Sequence, residues 1–223
     1  MNKARLAAGL GVVVFALGSS SAHAALLVDN GIPSLSNPVG SNLSDTQQGQ
    51  DFYLASTTSL TSVRFWTLEM SSLDYLNSIF WEIRTNASGT PGNTVIASGT
   101  ANPTRTATTA ISVGGTNFNQ NQNDFNVNVN NLASGFYWLT LHNGALSSNT
   151  FTDFYWSAAD ANATAHAGQE MGLNPATSWY TNDQELAFQL YGTSTATPEP
   201  GTLGLVGLSL VAAGLIRRTN RQD

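Results

Sequence analysis

Few side chains in this 223-residue chain are of a kind that moves protons, holds metals or attacks a substrate. There is no cysteine, so thiol chemistry, thiolate metal sites and disulfides are excluded. His142 opens the turn-like run His142-Asn143-Gly144, and His166 lies in the small-residue stretch Ala161 to Gly168. Both read as surface or turn residues. No H-E-x-x-H or G-x-S-x-G spacing occurs. Glu69, Glu82 and Glu185 are the residue type of a glycosidase acid and nucleophile, but a pair needs a defined spatial separation, which sequence does not set. They read as strand-borne solvent-face carboxylates. Asp29-Asn30-Gly31 and the loop Asn117 to Asp124 carry oxygen ligands suited to Ca2+, without the spacing of a calcium loop. The chain is therefore expected to be non-enzymatic and free of cofactors. A structural calcium stays open, with no ligands assigned.

Ligand contact has better material. Trp66, Trp81, Trp138, Trp156 and Trp179 can each offer a flat apolar face to a sugar ring, with amides nearby for its hydroxyls. Trp66, Trp81 and Trp138 fall inside strand patterns and are expected in the core. Trp179-Tyr180 is flanked by loop-like residues, and Tyr155-Trp156 sits at a strand end. These four are the candidate sugar contacts.

The elements that position them read as β throughout. In Ser59 to Leu68, Leu60, Ser62, Arg64, Trp66 and Leu68 alternate with Thr61, Val63, Phe65 and Thr67. Ile79, Trp81 and Ile83 alternate with Phe80, Glu82 and Arg84, and Phe125, Val127 and Val129 with Asn126, Asn128 and Asn130. Phe136 to Leu141 is apolar at nearly every position, the mark of a strand covered on both faces. Gln50 to Leu54, Phe151 to Trp156 and Leu186 to Tyr191 complete the set, and stretches such as Asn86 to Asn93 supply turn residues. Six to nine short strands without a helical stretch predict an all-β body, an antiparallel β-sandwich of jelly-roll type. An up-and-down barrel is the alternative.

The two ends differ from this body. Lys3 and Arg5 precede an apolar run from Leu6 to Gly18, and Ala22-His23-Ala24 forms an A-x-A cleavage pattern. Residues 1–24 are thus expected to be a secretory signal peptide. At the other end Thr197-Pro198-Glu199-Pro200-Gly201 leads into an uncharged apolar block, Thr202 to Ile216, closed by Arg217 and Arg218. The prolines keep the lead extended, and the arginines stay on the cytoplasmic side. Fifteen residues at about 1.5 Å each give roughly 22 Å of helix against a hydrocarbon core of about 30 Å. A span this marginal suits a transient anchor. The domain layout is then 1–24 signal, 25–194 β-sandwich and 195–223 tail, with the membrane helix at 202–216.

From Ala25 to Thr197 there are twelve acidic residues, three arginines and no lysine, a net charge of −9. Such a body repels nucleic acid and other anionic polymers. Neutral sugars remain compatible, and anionic polysaccharide only through divalent cations.

Pro198-Glu199-Pro200-Gly201, the apolar block and the paired arginines together resemble the PEP-CTERM sorting tail of Gram-negative bacteria that secrete exopolysaccharide. The resemblance implies transient retention at the inner membrane. It further implies processing near the Pro-Glu-Pro motif by an exosortase, a membrane-embedded cysteine protease, and delivery to the cell surface or outside. Pro198 to Gly201 would then be the recognition element and Arg217-Arg218 the membrane stop. The partners implied are the secretion machinery, exosortase, the inner membrane and exopolysaccharide of a biofilm matrix. The body, through Asp29-Asn30-Gly31, Asp51 to Leu54, Val63 to Trp66, Thr90-Pro91-Gly92, Ala133 to Leu139 and Ala187 to Gly192, is similar to β-sandwich ectodomains found ahead of such tails. The expected function is that of an exported, non-catalytic surface or matrix protein. A carbohydrate-binding module is the alternative, and a secreted glycan hydrolase a weaker one.

Overall fold

The computed structural model describes residues 24–34, 39–148, 150–160, 169–171, 178–181 and 184–194. Residues 1–23 of the expected signal peptide, the sorting residues Pro198 to Gly201, the anchor, Arg217, Arg218 and His166 lie outside them.

The described residues are all β. The strands are β1 (Ala25–Asp29), β2 (Gly40–Asn42), β3 (Gln47–Leu54), β4 (Thr58–Glu69), β5 (Ile79–Ala87), β6 (Thr90–Ala101), β7 (Thr104–Val113), β8 (Thr116–Leu132), β9 (Gly135–Asn143), β10 (Phe154–Ser157), β11 (Gln169–Met171), β12 (Trp179–Thr181) and β13 (Phe188–Ser194). They form two antiparallel sheets. In the first, β4 is central: β13 and β10 pair along one side of it and β8 along the other, with β1, β2 and β7 outermost. The second runs β12-β11-β3-β9-β5-β6. The main core draws Leu60, Val63, Phe65, Phe125, Trp156 and Phe188 from the first sheet and Phe52, Ile83, Leu139 and Leu141 from the second, so it lies between the two.

Local sequence explains the pairing. In β8, Phe125, Val127 and Val129 point into the core while Asn126, Asn128 and Asn130 are exposed, as period-two alternation demands. The β4 alternation holds only in part. Its pairing with β8 shifts register between Leu60 and Ser62, a bulge that returns Leu60 to the core side beside Val63 and Phe65. Trp66 turns to the other face and packs on Ala159 and Ala187.

Two hairpins have tight two-residue turns. Ser88-Gly89 and Gly114-Gly115 all have positive φ, the geometry that matches strand twist in such loops. The Asn86 to Asn93 turn region therefore narrows to two residues, because both flanks are strand. The arm of β6 and β7 escapes the periodic reading. Its Thr, Ala and Ser side chains are mostly exposed on both faces, so burial imposes no alternation. Asn117 to Asp124 is a part of β8 rather than a loop, and its side chains alternate between two faces instead of converging on an ion.

Candidate functional site

The candidate sugar contacts separate onto two sheets. Trp156 is completely buried, edge-on to Phe65 and Phe188 at 6.1 Å each, and its Nε1 donates to the Ala187 carbonyl at 2.8 Å. It is a core residue and offers no face to a ligand, because the strand end is covered by the opposite sheet. Tyr155 points the other way and is half-buried. Its hydroxyl donates to Asp153 Oδ1 at 2.9 Å, and burial, followed by that carboxylate, raises its pKa above the ordinary phenol value. Trp179 and Tyr180 belong to β12 rather than to a loop, with Tyr180 half-exposed and Trp179 less so. The Arg84 guanidinium lies 5.8 Å from the Trp179 ring centroid.

Arg84 leads into a buried polar network on the outer face of the second sheet. Gly49, Thr140 and Glu82 share one rung across β3, β9 and β5, and Asp51, Trp138 and Arg84 the next. Glu82 Oε2 accepts from Arg84 Nε at 2.7 Å, from Gln47 Nε2 at 2.8 Å and from Thr140 Oγ1 at 3.3 Å. Trp138 is fully buried on this outer face, not between the sheets, and donates to Asn86 Oδ1 at 3.0 Å. Pro91 packs over Gly49 beside it. His142 lies along the same strand as Thr140. It is a buried strand residue rather than a turn residue. Burial lowers its pKa, opposed by a hydrogen bond with the Gly144 backbone and by the Asp45 charge.

At the far end of the same face Tyr53 and Phe136, direct cross-strand partners, stand exposed at 54% and 42% with ring centroids 4.9 Å apart. Reading Phe136 to Leu141 as covered on both faces misplaces Phe136, which lies at the uncovered start of β9.

The remaining carboxylates are engaged separately. Glu69, almost wholly buried, pairs with Arg105 and accepts from Thr67 Oγ1 at 2.7 Å. Arg105 also covers the Tyr75 ring at 4.3 Å. Glu185 accepts from Gln50 Nε2 at 3.2 Å. Glu69, Glu82 and Glu185 thus sit in three distinct networks, and the solvent-face reading of Glu69 and Glu82 is corrected by their burial. Among the described residues no group of three or more His, Asp or Glu is placed to hold a metal ion.

An open cleft of about 600 Å3 lies over the outer side of β4 and β8 in the first sheet, walled also by Thr100 to Asn102 at the end of β6. Arg64 and Asp124 are register partners on β4 and β8, with Nε to Oδ1 at 2.7 Å. Arg64 Nη1 donates to the Tyr191 hydroxyl at 3.2 Å, and that hydroxyl donates to Gln189 Oε1 at 2.8 Å. The hydrogen bond to Asp124 raises the Arg64 pKa, against a smaller lowering by burial. Sequence reasoning missed this site. Arg64 and Tyr191 fall within the expected strands, but their meeting depends on pairing across 127 positions.

No match to this chain is found among curated proteins. A family model described as the PEP-CTERM protein-sorting motif matches residues 196–221. The chain therefore carries a PEP-CTERM sorting motif, which implies export, exosortase-mediated processing and membrane-linked sorting to the surface.

Proposed function

We propose that this is a non-catalytic surface or matrix protein of a Gram-negative bacterium. Its tail holds it transiently in the inner membrane until exosortase processing, and its β-sandwich then associates with exopolysaccharide. The observation that carries this reading is the sorting motif at residues 196–221. Pro198, Glu199 and Pro200 are the recognition element, 202–216 the anchor and Arg217-Arg218 the stop. The strand order β1-β13-β4-β8 facing β3-β9-β5-β6 supports the jelly-roll form of the body. The engagement of Glu69 and Glu82 by arginines supports a structural rather than catalytic role for them. Glu199→Ala, expressed in the native host, is expected to give a larger form that stays in the membrane fraction. A variant of unchanged size and location overturns exosortase recognition through this motif.

The second reading, a carbohydrate-binding module, is favoured by the exposed Tyr53–Phe136 pair and by the polar cleft at Arg64. Either reading leaves the sorting assignment as it stands.

A further inference from the structure

We propose that the cleft over the outer side of β4 and β8 binds one unit of a neutral glycan, held by Arg64, Asp124 and Tyr191. This rests on the carbohydrate-binding reading above and names its site and ligand class.

The cleft is large enough and has suitable chemistry. Its volume of about 600 Å3 falls within the roughly 300–1,000 Å3 of small-molecule sites. Its walls carry Ser62, Thr104 and Asn126 beside the three named residues, so the ligand must satisfy hydrogen-bonding groups rather than fill an apolar slot. The Ser62 and Thr104 hydroxyls, the Asn126 amide and Arg64 Nη2 have no hydrogen-bond partner among the described residues.

The central pair is matched to a diol. A guanidinium only donates and a carboxylate only accepts, whereas each sugar hydroxyl does both. Adjacent hydroxyls can therefore bridge Arg64 and Asp124, one accepting from Nη2 while the other donates to the carboxylate. Asp124 accepts from Arg64 on Oδ1 and from Gln122 Nε2 on Oδ2 at 2.6 Å. A carboxylate has about four acceptor positions, so two remain. The two side chains are 33% and 34% exposed, within reach of a ligand. Arg64 is already held by Asp124 and by Tyr191, whose ring centroid lies 5.5 Å from the guanidinium carbon. Much of the ordering cost of binding is thereby met in the free protein.

Charge selects a neutral ligand. Arg64 and Asp124 cancel, and the other two arginines between residues 25 and 197 are paired with Glu82 and Glu69. With a net charge of −9 over that stretch, an anionic glycan meets repulsion and no unpaired cation. The Trp179 face differs. There the central ion pair is only 13% and 7% exposed, and Gln47 and the Gly92 carbonyl engage it further.

The test uses the full chain, purified in detergent and applied to immobilised neutral and acidic glycans, with affinities then measured for the retained ones. The expected result is retention of neutral glycans with little dependence on salt. Asp124→Asn and Arg64→Lys should each weaken binding at least about tenfold, since a hydrogen bond to a charged group is lost or misdirected. Asn126→Trp, a substitution at an exposed strand position, should block the cleft without touching the ion pair, which guards against a variant that fails to fold. Trp179→Ala should bind as the parent does. Glycan binding indifferent to all three cleft variants overturns the cleft assignment and leaves the binding-module reading standing. A preference for acidic glycans overturns the ligand class, and retention of no glycan overturns both this inference and the binding-module reading.

Discussion

Burial decides what each charged side chain can do. The Glu82–Arg84 and Glu69–Arg105 pairs are withdrawn from water, where losing one partner strands the other and costs about 3–5 kcal/mol. The Arg64–Asp124 pair is a third exposed and is expected to contribute roughly 1 kcal/mol or less to stability. Evolution is freer to use such a pair for a ligand. His142 extends the argument to pH. Burial holds its folded pKa below the ordinary imidazole value, with the Gly144 hydrogen bond and Asp45 opposing. The unfolded chain therefore takes up the proton first on acidification. Stability is fully present above about pH 6.5 and declines as pH falls from there toward the folded value. Thermal unfolding across that range should show a midpoint falling with acidification, and His142→Gln should flatten the trend. An identical slope in the variant would show that other groups are responsible.

At the scale of elements, backbone approach sets the register. β13 shifts register against β4 between Tyr191 and Gly192, and a Cβ at Gly192 would collide with the Ser59 carbonyl oxygen. The β7–β8 turn is the opposite case: Gly114 needs its positive φ of 58°, yet a Cβ there would meet open space. Gly114→Ala should cost about 1–2 kcal/mol from backbone strain alone. Gly192→Ala should cost about 1–3 kcal/mol or more, because two paired strands must separate. It should also disturb Tyr191, the wall of the cleft. Urea unfolding followed by tryptophan fluorescence compares the two, and a milder effect at Gly192 than at Gly114 would contradict the close approach. Gly99 shows the same economy in the second sheet, where its missing side chain makes room for the Trp81 ring.

For the molecule as a whole, the sorting motif and the buried core of the described residues come from different stretches of the chain. The inter-sheet core is built from residues 43 to 190, and the matched motif spans 196–221. Appending residues 196–221 to an unrelated exported protein should therefore bring that protein under the same processing in a host that performs it, seen as a size shift lost with Glu199→Ala. An untouched passenger would mean that the body contributes to recognition. Without cysteine, the body depends on its core and on buried polar networks rather than on cross-links. Its negative charge, with the three arginines between residues 25 and 197 all paired, favours a neutral environment over an anionic one.

Residue order alone determined the β class, the two-residue spacing in β8 that sends Phe125, Val127 and Val129 inward, and the sorting motif. Each depends on neighbours a few positions apart. Tertiary structure decided the rest. Trp156 and Trp138 are equally buried, yet one lies between the sheets and the other outside, and an apolar run cannot reveal which face meets which layer. The bulge at Leu60 to Ser62 undoes a regular alternation because β8 pairs there out of step. Glu82 looked solvent-facing until Gln47, Thr140 and Arg84 closed around it. The cleft joins Arg64, Asp124 and Tyr191 from three strands, with 60 positions from Arg64 to Asp124 and 127 to Tyr191. Such meetings depend on long-range strand pairing, which local periodicity does not encode.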